Sequence, residues 1–71
     1  MNAPRIKELR KKRNITQLKL AMDLGTNQNT ISRYETDEYE ADYDMLKKIA
    51  DYFDVSIDYL LRETDNPARN K

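Results

Sequence analysis

Gln28, Asn29, Ser32 and Arg33 crowd into one short run of a chain that has no histidine and no cysteine. The two missing types remove the commonest general base and the strongest side-chain nucleophile. The 13 Asp and Glu residues are scattered, and no pair stands apart in an apolar setting. The acidic stretch 37–44 also lacks the glycine of a calcium-binding loop. An enzyme is therefore not expected, and neither is a cofactor, a metal site or a small-molecule ligand. What the four residues can do is donate and accept hydrogen bonds in several directions at once. At helical spacing they share one face, and Ile31 and Tyr34 fall on the opposite one. Such a dense polar face, with its N-terminus presented by a tight turn, suits base edges in the DNA major groove.

Five helices have to position that face. Pro4 opens a first helix to about Arg13, with Ile6, Leu9, Arg10 and Arg13 repeating at i, i+3, i+4 and i+7 as one stripe. Thr16 is the expected N-cap of a second helix, Gln17 to Leu24, in which Leu20, Ala21 and Leu24 share a face. Leu18 and Met22 are left on its outer side. The lone Gly25 sits where this helix must end in a left-handed conformation. Asn27 caps the third helix, about 28–36, and Asp42 caps a fourth running to about Phe53 with Met45, Leu46, Ile49, Ala50 and Phe53 inward. Ser56 caps a short last helix through Arg62. The fold expected is all-α, a five-helix bundle over residues 1–63, with a disordered tail over 64–71 that is almost without apolar residues.

The chain of 71 residues is 38% hydrophobic and 37% charged, which fits one small helical domain with a heavily solvated surface. No apolar run approaches the roughly 20 residues that cross a bilayer, and the first residues lack a signal-peptide core. A cytoplasmic location with no membrane contact is the expectation. The formal net charge of zero conceals a split: residues 1–33 hold eight Lys and Arg against two acids, and residues 34–71 hold five against eleven. The basic half carries the helix pair, as expected of a surface that meets an anionic partner.

The segments RIKELR, TQ-x-x-LA-x-x-LG, NQNTISRYE, L-x-KIADYF and VSIDYLL follow one another in that order. Over about residues 4–62 the chain resembles the lambda-repressor-like helix-turn-helix domains, the Cro/XRE-type bacterial and phage regulators. The resemblance implies sequence-specific binding of double-stranded DNA by the third helix. It assigns base readout to Gln28, Asn29, Ser32 and Arg33, with an amide pairing to adenine N6 and N7 and a guanidinium to guanine O6 and N7. Gln17, Asn27, Thr30, Lys11 and Lys19 match phosphate-contacting or positioning residues, and Gln17 also buttresses the recognition helix. Arg10 and Glu35 match an ion pair between the first helix and the end of the third. The family implies a homodimer on a palindromic operator, with Ile57, Leu60 and Leu61 as contact residues.

One departure bears on affinity. Relatives often follow the recognition helix with Asn-Gly and a basic residue that grip phosphate, whereas this chain reads Thr36-Asp37-Glu38-Tyr39-Glu40. Its carboxylates are expected to weaken overall binding and leave base preference intact. Phosphate grip would then shift to Arg10 to Arg13, Gln17 and Lys19, with Tyr39 as a further hydroxyl donor. The competing expectation is a protein-interaction module that keeps the fold and uses the acidic second half. A short repressor or Cro-like switch acting by occupancy alone is the role that the length favours.

Overall fold

Four of the five helices begin at a short polar side chain that turns back onto the backbone three residues ahead. Thr16 accepts from the N–H of Lys19 at 3.0 Å, Asn27 from Thr30 at 2.9 Å, Asp42 from Met45 at 2.8 Å and Ser56 from Tyr59 at 3.0 Å. Each satisfies a donor that the helix itself leaves unpaired. The computed structural model describes residues 3–68 and contains, among these, five helices and no strand. They are α1 Ile6–Lys12, α2 Gln17–Leu24, α3 Gln28–Glu35, α4 Tyr43–Phe53 and α5 Ile57–Leu60. The bundle has the all-α architecture expected, with α2 and α3 as its most closely packed pair.

Helix exits follow an equally simple rule. Asn14, Gly25, Asp37, Asp54 and Arg62, one after each helix, all have φ between 56° and 75°. Only one of the five is glycine, so four exits carry the strain of a side chain in the left-handed region. The exit bonds are of the Schellman kind: Ile15 N–H to Arg10 O at 3.2 Å, Thr26 N–H to Ala21 O at 2.9 Å and Val55 N–H to Ala50 O at 3.0 Å. Arg62 turns the chain out of α5 two residues earlier than the pattern suggested, and α3 stops at Glu35, with Thr36 as its cap.

None of these helices is long enough to stand alone in water, where roughly 12–15 residues are needed. Burial holds them. Ile6, Leu20, Ala21, Ile31, Ile49 and Leu60 are fully buried, and Leu24, Tyr34, Ala50, Phe53 and Val55 complete the core. Each large side chain so buried contributes about 1.5–3 kcal/mol, and that is what keeps the eight-residue α3 helical. Ala21 presents no side chain beyond a methyl, which lets α3 lie close against α2.

Leu60 corrects one expectation. It is fully buried and its carbonyl accepts from Arg5 N–H at 2.9 Å, so its side chain has no surface to offer a second copy. Of the three expected contact residues, Leu61 is exposed and Ile57 is half-buried. Residues of the expected tail lie against the fold: Arg5 donates to Thr64 O at 3.3 Å and to Asp65 at 3.2 Å, and Ser56 N–H donates to Pro67 O at 3.1 Å. Residues 69–71 of that tail lie outside the described residues.

Candidate nucleic-acid interface

Helix α3 turns Ile31 and Tyr34 inward and leaves Gln28, Asn29 and Arg33 exposed, with Ser32 half-buried between them. At 3.6 residues per turn these four cover a sector of about 140°. Burial of the Tyr34 ring, with Asp42 acting in the same direction, pushes its phenol above the ordinary value. It is therefore a neutral anchor over the whole physiological range.

A hydrogen-bonded chain fixes the rotation of α3 against its neighbours. Arg10 donates from Nε to Glu35 Oε2 at 2.8 Å, from Nη2 to Glu35 Oε1 at 3.1 Å and from Nη1 to Ile15 O at 3.0 Å. Gln17 donates to the same Glu35 Oε1 at 3.1 Å, and its own Oε1 accepts from Gln28 at 3.4 Å. The expected ion pair is thus present, and it is more than a pair, because it joins α1, the start of α2 and both ends of α3. The Glu35 side chain is 3% exposed and that of Arg10 11%. The carboxylate, by bonding the guanidinium, raises Arg10 above its usual value.

Arg10, expected as half of an ion pair and also as a phosphate contact, takes the first role, and Arg13 departs from the phosphate contact expected of it. Arg13 donates to Tyr52 O at 3.0 Å and to Phe53 O at 2.9 Å, capping the C-terminus of α4, and its guanidinium lies 5.2 Å from the Phe53 ring centroid. Arg10 and Arg13 are therefore engaged in holding the fold, with Arg13 still exposed. Their place on the stripe of Ile6 and Leu9 was the sequence signal for this. Arg5 and Arg62 are likewise engaged, Arg5 with Tyr59 O at 2.8 Å and Arg62 with Ala3 O at 2.8 Å and with Glu8. The lysines take the opposite part: Lys7, Lys11 and Lys12 are exposed and make no ion pair among the described residues. Lys19, however, pairs with Asp23 at 3.0 Å within α2, and Tyr52 donates to the same carboxylate at 2.7 Å. Asn27 is occupied as the α3 cap, accepting from both the N–H and the hydroxyl of Thr30.

The loop after α3 closes on itself. Asp37, at φ 63°, adopts the conformation that a glycine would supply. The N–H groups of Glu38 and Tyr39 both donate to Arg33 O, at 2.9 and 3.2 Å, so neither is presented outward for a phosphate. The Tyr39 hydroxyl accepts from Arg33 Nη1, and the guanidinium carbon sits 4.9 Å from the Tyr39 ring centroid. Nothing in the sequence pattern had joined these two residues. Among the described residues no group of three or more acidic side chains is placed to hold a metal ion, and no helix is long and apolar enough to cross a membrane.

The family profile described as helix-turn-helix matches residues 6–60. Among curated proteins of Bacillus subtilis (strain 168), the chain is similar to the HTH-type transcriptional regulator ImmR, at 37% identity over 67 residues, covering 94% of this chain and 53% of that protein. It is also similar to the uncharacterized HTH-type transcriptional regulators YqaE, at 36% identity, and YobD, at 34%. The chain spans 57% and 60% of those two relatives, and 93% and 94% of its own length is matched. No solved structure matches the chain significantly.

Proposed function

The chain belongs to the helix-turn-helix family, and on that premise we propose that it is a sequence-specific DNA-binding transcriptional regulator that lays α3 in the major groove. The observation that carries this reading is the exposed set Gln28, Asn29 and Arg33, with Ser32 beside them, on a helix whose other side is core. The network through Arg10, Glu35 and Gln17 adds support, because a base-reading helix has to hold its side chains to fractions of an ångström. Gln28, Asn29, Ser32 and Arg33 read base edges; Gln17, Thr30 and Asn27 set the entry of α3 near the backbone. Lys11 supplies phosphate contact, with Lys12 beside it in place of the internally committed arginines. Lys19 joins them once it leaves Asp23. The protein acts as a repressor by occupancy, as a pair of copies that meet through Ile57 and Leu61 on a palindromic site with half-sites about 34 Å apart. It acts in the cytoplasm, without catalysis.

The test is fluorescence anisotropy with duplexes from an unbiased binding-site selection, repeated across a salt series. A DNA reader yields a palindrome and a log affinity that falls linearly with log salt. Failure to bind any selected duplex at about 50 mM salt, where phosphate contacts are strong, would reject the proposal in favour of a protein-interaction module.

A further inference from the structure

We propose that Tyr39 is a positioning residue for base readout: it holds the Arg33 guanidinium in place for a guanine and thereby sets the sharpness of recognition at that base. The inference rests on the DNA-reading function proposed above and names a residue outside α3 as part of its specificity.

Two independent links join the same pair of residues. The backbone N–H of Tyr39 donates to Arg33 O at 3.2 Å, and the Arg33 side chain reaches forward over the Tyr39 ring and onto its hydroxyl. The loop therefore returns to the residue that launched it, and the ring stands beside the guanidinium by construction. An unrestrained arginine carries about 2 kcal/mol of rotamer entropy, which base binding would otherwise have to overcome. A guanidinium has five N–H donors, and this contact engages only Nη1. Nε and Nη2 have no partner among the described residues, so enough donors remain for the O6 and N7 of a guanine.

The chemical nature of the partner separates positioning from sequestration. Asp37, Glu38 and Glu40 flank Tyr39, yet none of them forms an ion pair with Arg33. A carboxylate in that place would neutralise the guanidinium and compete with DNA. A phenol and an aromatic face orient the cation and leave its charge in full.

Tyr39 is 48% exposed, so its replacement leaves the core alone. The experiment measures affinities of the full chain for its selected duplex and for single-base variants of that site, using the wild type, Tyr39→Phe, Tyr39→Leu, Arg33→Ala and Arg33→Ala/Tyr39→Leu. Tyr39→Leu is expected to reduce discrimination about threefold to tenfold at the base position that Arg33→Ala flattens, and at no other. Tyr39→Phe, which keeps the ring, loses about twofold there, and carries the test if the leucine variant does not fold. In the Arg33→Ala background Tyr39→Leu is expected to change nothing further. A loss spread evenly over all duplexes, an effect that persists without Arg33, or tighter binding after Tyr39→Leu would overturn the inference while leaving DNA reading intact. A wild type that binds no duplex overturns both, and the wild-type arm alone reports that outcome.

Discussion

Arg10 and Glu35, 25 residues apart in the chain, meet through two hydrogen bonds of 2.8 and 3.1 Å with both side chains nearly closed off from water. A carboxylate at the end of α3 thus fixes α1 to the helix that carries the polar face. Removing one partner of a buried pair strands the other charge, at a cost of about 3–5 kcal/mol. Glu35→Ala and Arg10→Ala are each expected to lower unfolding free energy by that order in urea titrations. Arg10→Met/Glu35→Leu should recover much of the loss, since no charge is left buried. A double variant less stable than either single one would contradict this account of the pair.

Arg33→Ala and Lys11→Ala should differ in kind. On the proposed reading the first removes a base-contacting side chain, so it is expected to cost about 1–3 kcal/mol and to relax preference at one position. The second removes an exposed charge; it weakens every duplex alike and reduces the salt slope by about one. Parallel salt series on matched and mismatched duplexes separate the two, and unchanged preference after Arg33→Ala would remove α3 from base reading.

Asp37 sits in the left-handed region and adds a carboxylate to the loop that follows α3. Asp37→Gly relieves the backbone and removes the charge, so stability is expected to rise by about 0.5–1 kcal/mol. DNA affinity should rise with it, most visibly at low salt, where the Debye length is long. A variant that is more stable but binds no better would place the loop away from the phosphates.

Acid should weaken the tie between α1 and the end of α5. The Arg62 guanidinium, which donates to the Glu8 carboxylate, holds it below its ordinary value, with Arg5 assisting at 3.7 Å. A lowered folded value means that the unfolded chain binds the proton first. The contribution is complete above the usual glutamate value of 4.5 and is lost as pH falls through the lowered one. Glu8→Gln should therefore reduce Tm at neutral pH, and the gap to the wild type should close below pH 4.5. With Glu8 about half exposed, the gap should be small and shrink with added salt.

The proposed pairing of copies through Ile57 and Leu61 predicts that Leu61→Glu shifts sedimentation towards monomer and weakens binding to a palindrome more than to a half-site. Leu61 is 37% exposed, and an unchanged helical circular-dichroism spectrum and Tm would show that the fold is kept. Equal losses on both duplexes would remove this surface from the assembly.

Periodicity and caps made most of this architecture legible in the chain itself. Thr16, Asn27, Asp42 and Ser56 act on the N–H three residues ahead, and Gly25 acts on its own φ, so local chemistry was enough to place helix starts and the turn before α3. Ile31 and Tyr34 on one side, with Gln28, Asn29, Ser32 and Arg33 towards the other, follow equally from the 3.6-residue repeat. Tertiary structure alone decided which charges remain available. Arg10, Lys11, Lys12 and Arg13 look alike as a basic run. Yet the two arginines are bonded to Glu35 and to the α4 carbonyls, contacts that span 25 residues or more, while the two lysines make no ion pair among the described residues.

Leu60 was equally undecidable from its neighbours, because Ile57, Leu60 and Leu61 are all apolar and only the packing of α5 on the core selects which one disappears. The Arg33–Tyr39 contact depended on a loop geometry that no repeat encodes. Helix faces and caps are settled over three or four residues, whereas the partner of a long charged side chain depends on which distant carbonyl or carboxylate the folded chain brings within reach.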